Sequence, residues 1–142
     1  PPRSTLFPYT TLFRSERIPS PEDVTVFPGM IQPFVENAIW HGVRNLEERK
    51  GHINIVLDSA GPDRLICTVE DDGIGRKKAM MFRGKLSDHR SRGIELVCER
   101  LRIFNTMSRN DFKIVIEDLY PDREDTGTRV TVDIPAGRKN LK

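Results

Sequence analysis

The stretch Gln32–Gly42, QPFVENAIWHG, limits what this chain can fold into more than any other, because one helical period carries two opposed kinds of face. Ile31, Phe34, Val35, Ala38 and Ile39 recur at the i, i+3, i+4, i+7, i+8 spacing of an apolar stripe, which an amphipathic helix buries against a core. Beside the stripe, Gln32 and Glu36 form one i, i+4 pair, and Asn37 and His41 form another. An acid, an amide and an imidazole therefore leave a helix whose neighbouring face is buried. Such groups are costly to bury without partners, so a bound ligand is one account of them and a solvated polar face is the other.

The rest of the chain supplies a sheet for that helix to cover. Prolines at 19, 21 and 28 bracket Val24, Val26 and Phe27, which predicts a short edge strand. The helix itself is expected from Gly29 or Met30 to Arg44–Leu46. HINIVLDS then alternates Ile53, Ile55 and Leu57 with polar neighbours, and RLICTVED does the same with Leu65, Cys67 and Val69. The Ala-Gly-Pro-Asp turn between them predicts an antiparallel hairpin. A polar, basic stretch over Arg76–Arg90 reads as a mobile lid with one short helix. A second amphipathic helix follows Ser91 or Gly93 and ends near Met107, with Ile94, Val97, Cys98, Leu101 and Phe104 or Asn105 inward. DFKIVIEDL and GTRVTVDIP predict two closing strands, with Phe112, Ile114 and Ile116, then Val130, Val132 and Ile134, facing the core. The sum is a two-layer α/β sandwich, two main helices on one face of a mixed, mostly antiparallel sheet of about five strands.

With 142 residues the chain holds one domain with a sizeable core and is short for two. Lysine and arginine total 23 against 21 acids, a net charge of +2 with the signs interspersed, which favours neither nucleic acid nor an anionic membrane as partner. Cys67 and Cys98 both fall in apolar patterns and are expected as buried free thiols in a reducing compartment. No run of 18 apolar residues is present, so this segment is expected not to contact a membrane directly. Residues 1–15, PPRSTLFPYTTLFRS, repeat Arg-Ser and Thr-Leu-Phe without an amphipathic period. They read as foreign sequence ahead of a domain over 16–137, the alternative being an edge strand or binding arm, and 138–142 reads as a charged tail.

Three stretches carry candidate chemistry. Asp71-Asp72-Gly73-Ile74-Gly75 ends a strand with a carboxylate and two glycines, letting backbone approach a ligand while the acid accepts from an amine such as that of adenine. A plain tight turn and a metal loop are the other readings, although the alternating oxygen ligands of a calcium loop are missing. Asn37 is an oxygen donor suited to Mg²⁺, and Glu36 beside it could orient or deprotonate an attacking group. Ser91-Arg92-Gly93 opens a helix whose N-terminal N–H groups suit phosphate, with Arg76, Lys77, Lys78, Arg90 and Arg92 nearby in sequence or simply solvated. His52 and His89 have no mates at metal-ligand spacing and read as bystanders.

In this order and spacing the stretches resemble the ATP-binding domain of the GHKL superfamily, the Bergerat fold, and more closely that of LytS/YehU-type sensor histidine kinases. PGMIQPFVENAIWHG looks like their N box, VEDDGIG like the G1 box, SRGIELVCERL like a variant G2 box, and GTRVTVDIP like the closing strand. The resemblance implies ATP and Mg²⁺ as cofactors, with Asn37 on the metal and Glu36 as the catalytic or orienting acid. It implies Asp71 on the adenine amine, Gly73 and Gly75 shaping the pocket, and His41 near the phosphates. It also places Arg76 at the start of the lid, and Ser91, Arg92, Gly93 and Thr128 on the nucleotide. Two departures stand out. Ser91 replaces a glycine of the G2 box, and Asp72 replaces a common asparagine, adding negative charge that Mg²⁺ or Arg76 would have to offset.

No Pro-His-Phe phosphoacceptor run occurs in the chain, so the resemblance implies a catalytic domain whose substrate histidine lies on an upstream dimerisation domain. It further implies a response regulator downstream, and a cytoplasmic position within a sensor of the inner or plasma membrane. A GHKL ATPase that hydrolyses ATP and a catalytically silent nucleotide-binding or protein-interaction module are the competing expectations.

Overall fold

In the computed structural model, which describes residues 9–16, 18, 24–26, 29–82 and 91–138, the chain runs β1 (Tyr9–Glu16), β2 (Val24–Val26), α1 (Gln32–Asn37), β3 (Gly51–Ser59), β4 (Arg64–Asp71), α2 (Arg76–Phe82), α3 (Ser91–Ser108), β5 (Ile114–Glu117) and β6 (Thr128–Arg138). The strands form one sheet in the order β1-β3-β4-β6-β2, with β5 also on β6. All pairings are antiparallel except β1 with β3. No described helix is long and apolar enough to cross a membrane.

The period of two decides which face of the sheet is covered. Ile53 and Ile55 of β3, Leu65, Cys67 and Val69 of β4, and Val130, Val132 and Ile134 of β6 are all buried. They meet as rows across the strands: Val69 lies opposite Ile55 and Val130, and Cys67 opposite Val132. The other face is polar. Asn54, Glu70, Arg129 and Glu117 make a cross-strand ladder, with Arg129 Nε donating to Glu70 Oε1 at 2.7 Å. Arg64 likewise reaches Asp133 at 2.7 Å and Asp111 at 3.0 Å. A sheet with one apolar and one charged face takes its helices on the apolar side only. There Phe34 and Ala38 from the first helical segment and Val97 and Leu101 from α3 join the core, with Met30, Val43 and Phe112 sealing its ends.

Because β4 alternates, Asp71 is the next inward position after Val69, and it lies between Ile53 and Thr128 on the neighbouring strands. A carboxylate is thereby carried onto the buried face at the sheet's end, 4% exposed.

Several expectations change. Cys98 is exposed, unlike Cys67, because it stands about 100° around α3 from Val97, off the stripe formed by Val97, Leu101 and Phe104. Ile116 is 40% exposed rather than fully inward. Tyr9–Glu16, of which residues 9–15 belong to the segment read as foreign with an edge strand as the alternative, forms an edge strand on β3, with Leu12 and Phe13 exposed. Of the expected lid, Arg76–Phe82 is helical and 83–90 lie outside the described residues, as do His89, Arg90, Phe27, residues 1–8 and the tail 139–142.

Candidate functional site

The helix expected from Gly29 or Met30 to Arg44–Leu46 is not uniform. After α1 it widens into a π-helical turn over Ala38–Gly42 and then tightens into a 3₁₀ turn over Val43–Asn45. A π turn spends an extra residue per turn, and such insertions are frequent at functional sites. Here it sets the Gly42 backbone against the loop after β4. A Cβ on Gly73 would overlap the Gly42 backbone, and a Cβ on Gly42 would overlap the Asp71 carboxylate. The Ile74 N–H points to Gly42 O at 3.4 Å, and Gly127 N–H donates to Gly73 O at 3.1 Å. Gly75 takes φ +85 against Thr126, a conformation open to glycine, and a side chain there would strike the Thr126 hydroxyl.

These contacts enclose a cavity of about 370 Å³. Its polar lining comes from Asn37, His41, Asp71, Arg76, Glu95 and Thr128. Its apolar lining comes from Phe34, Ala38, Val69, Ile94, Ile116 and Val130. Apolar walls with one buried acid suit a largely apolar ring that carries a hydrogen-bond donor. Asp71 Oδ1 accepts from the Gly73 N–H at 2.9 Å, which leaves Oδ2 for a donor in the cavity.

Burial pushes the Asp71 carboxyl up to about 7, with Asp72 adding to the rise and the Gly73 N–H opposing it. The native state therefore holds this proton over pH values at which the unfolded chain, near 3.8, has lost it. Stability falls as pH rises through that window and levels off above it. The stability difference between Asp71→Asn, which mimics the protonated acid, and the wild type should widen by about 1.4 kcal/mol per pH unit between pH 4 and 7. Urea titrations of both ligand-free proteins across that range test this. A pH-independent difference would show Asp71 ionised throughout.

The expected site residues divide into groups. Asn37, His41, Asp71, Gly75, Arg76 and Thr128 converge on the cavity, whereas Gly73 shapes it from behind. Glu36 is exposed and accepts from Gln32 Nε2 at 2.8 Å, at the outer side of the helix. Gly93 packs against Pro33 rather than lining the cavity. Ser91 and Arg92 begin α3, and their side chains lie outside the described residues. The basic cluster is partly committed elsewhere: Arg76 pairs with Asp118 at 2.9 Å, and Lys78 with Asp125 at 2.8 Å.

Asp72 is paired with Arg49 and His52, while Arg76 pairs with Asp118. Arg49 Nη1 lies 3.1 Å from Asp72 Oδ2, and His52, read from sequence as a bystander, brings Nδ1 to 2.9 Å from the same oxygen. Although burial works against ionisation, His52 and Arg49 hold the Asp72 carboxyl below its usual range. Gly42 and Glu95 were also missed. Glu95 lies on an outward helical position and shows no sequence signal, whereas the Gly42 approach depends on the π turn.

Residues 25–138 match the histidine kinase-, DNA gyrase B- and HSP90-like ATPase family. The chain belongs to that family. The family is one of ATP-binding domains. No curated protein sequence matches the chain. Among solved structures, the mycobacterial sensor histidine kinase MprB superposes with a TM-score of 0.57 at 11% identity, covering 93% of this chain and 85% of that one. The histidine kinase domain of the Erythrobacter litoralis blue-light activated histidine kinase gives 0.56 at 20% identity, covering 89% of this chain and 54% of that one. A longer structure of that Erythrobacter kinase gives 0.55 at 17% identity, with 90% and 38% covered. At these identities the likeness is one of fold, and this histidine kinase-, gyrase B- and HSP90-like ATPase domain shares the sheet-and-helix α/β architecture of all three.

Proposed function

We propose that this domain binds Mg²⁺·ATP in the cavity and presents the γ-phosphate to a histidine outside this chain, within a sensor histidine kinase of the LytS/YehU type. The observation that carries the reading is Asp71: a buried carboxylate lining a largely apolar cavity, with Oδ1 held by the Gly73 N–H and with Asn37 lining the same space. The adenine amine donates to Asp71 Oδ2, and Phe34, Val69 and Val130 bound the ring. Asn37 is a hard oxygen donor on the cavity wall, which fits a magnesium ion whose remaining ligands are phosphate and water oxygens. That ion, when bound, neutralises phosphate charge. His41, the N–H groups at the head of α3 about Ser91, Arg92 and Gly93, Thr128 and Arg76 border the nucleotide.

Transfer breaks the bond from the γ-phosphorus to its bridging oxygen and forms one to an imidazole nitrogen, with the imidazole proton leaving. In this reading Glu36, exposed and one residue from Asn37, takes or orients the proton of an incoming histidine that approaches from outside the cavity. The domain's share of the catalysis is positioning and charge neutralisation. The histidine kinase names of the fold neighbours, and the LytS/YehU-like form of the N, G1 and G2 boxes, support transfer over hydrolysis. An upstream dimerisation domain and a response regulator are the partners this reading requires, with the domain on the cytoplasmic side of a membrane sensor.

The experiment supplies a phosphoacceptor fragment in trans with γ-labelled ATP. Label on a histidine supports the kinase, steady phosphate release from this chain alone indicates a hydrolase, and nucleotide binding with neither indicates a silent module. Asn37→Ala is expected to weaken ATP binding about tenfold with Mg²⁺ present and less than about twofold in EDTA. Equal losses in both media would remove Asn37 from the metal.

A further inference from the structure

The loop that carries Asp71 is gripped from outside the cavity. Arg49 follows the 3₁₀ turn that ends the first helical segment, and His52 is the second residue of β3. Both converge on the residue after Asp71. The His52 N–H donates to Asp72 Oδ1 at 2.7 Å, and the Asp72 N–H donates to His52 O at 3.2 Å. His52 Nδ1 meets Asp72 Oδ2 at 2.9 Å, and Arg49 meets the same oxygen at 3.1 Å while also donating to the Asp72 backbone carbonyl. Asp125, from the loop between β5 and β6, approaches Arg49 at 3.9 Å. The peptide between Asp71 and Gly73 is thus held at its carbonyl, its N–H and both carboxylate oxygens.

Asp72 is not part of the cavity wall, so none of this touches a ligand directly. It does fix the two ends that orient Asp71, namely its own backbone and the Gly73 N–H that holds Oδ1. An acid at position 72 is therefore answered by a dedicated cation and a backbone donor on the far side of the loop. Arginine's fork and the charge on both partners make such bonds stronger and more directional than neutral ones.

We infer that Arg49 and His52, acting through Asp72, are positioning residues that set the aim of the Asp71 carboxylate and with it the domain's preference for a purine bearing an exocyclic amine. The inference rests on the reading of Asp71 as the adenine contact. It treats selectivity as a property of the loop's outer fastening, in addition to the cavity wall.

The test compares ATP with inosine triphosphate, which differs by carrying an oxygen where adenine has its amine. Both are titrated calorimetrically into wild type, Arg49→Ala, Asp72→Ala and Asp72→Asn, with circular dichroism and thermal melts confirming folding. Wild type should prefer ATP by at least about tenfold. In Arg49→Ala and Asp72→Ala that preference should shrink below about threefold, with inosine triphosphate affinity within about twofold of wild type. Asp72→Asn should keep most of the preference, since an amide oxygen still accepts from the His52 N–H and Arg49 still donates to the backbone carbonyl of residue 72. A variant that weakens both nucleotides equally would show a general structural role, and full retention of the preference in Arg49→Ala and Asp72→Ala would show none; either overturns the inference and leaves Asp71's role standing. A wild type without preference overturns the Asp71 reading, and the inference with it.

Discussion

Asp71→Ala is expected to lower ATP affinity by about a hundredfold or more while the domain stays folded. The variant removes the one buried acid of the cavity, and with it a hydrogen bond between a charged acceptor and the adenine amine. Fold survival follows from the same geometry that makes the site costly. A carboxyl whose burial raises it to about 7 is a stability liability near neutral pH, so truncation removes strain as well as the Gly73 contact. Asp71→Asn separates the two roles. Its amide oxygen can still accept from Gly73, but its amide N–H₂ then confronts the adenine amine, donor against donor. That variant should fold at least as well as the wild type at pH 8 and bind ATP as poorly as the alanine form, while its disadvantage toward inosine triphosphate is much smaller. Calorimetric titration with both nucleotides checks this. Unchanged ATP binding by either variant would place the adenine elsewhere.

Gly73→Ala and Gly42→Ala are expected to fail in different ways. At Gly73 the new methyl meets Gly42 backbone atoms, which can retreat only if the π turn or the strand end moves. A loss of about 3 kcal/mol in unfolding free energy is expected, at the upper end of overpacking costs. At Gly42, φ is −93 and ψ −92, and the atoms the methyl meets first belong to the Asp71 carboxylate. A side chain can rotate away, so Gly42→Ala should cost about 1 kcal/mol or less in stability and most of the ATP affinity, because the rotated acid leaves the Gly73 N–H and the cavity. Denaturant titration paired with nucleotide titration separates the outcomes. Equal stability losses at both glycines would mean that the approach is not as close as the structure has it.

Both glycines mark the boundary of what sequence reading reaches. The apolar stripe of Ile31, Phe34, Val35, Ala38 and Ile39, the hairpin of β3 and β4, and the inward rows of β4 and β6 are period signals. They survive folding because each element buries one face against the same core. Asp71 belongs to the same series, two residues past Val69, and its burial is a consequence of β alternation. Thr128 could be assigned to a site only through resemblance, Asn37 and His41 also through their place beside the apolar stripe, and the structure brings all three to the cavity. Cys98 was misread because a one-residue offset on a helix turns a side chain by about 100°, which a short apolar run does not reveal.

What the sequence by itself determined is therefore the layer order and the chemistry on hand: an acid ending an inward row, an amide on a buried helix, and glycines where backbones must pass. What only the tertiary structure decided is how those pieces bear on one another. The π turn that seats Gly42 against Asp71, the placing of Glu36 outside the cavity, and the pairing of Asp72 with Arg49 and His52 all join residues from different elements. Periodicity reports the face a side chain takes within its own element, set by local backbone geometry. Contacts between elements depend on where the packed core brings their ends, and no local pattern encodes that.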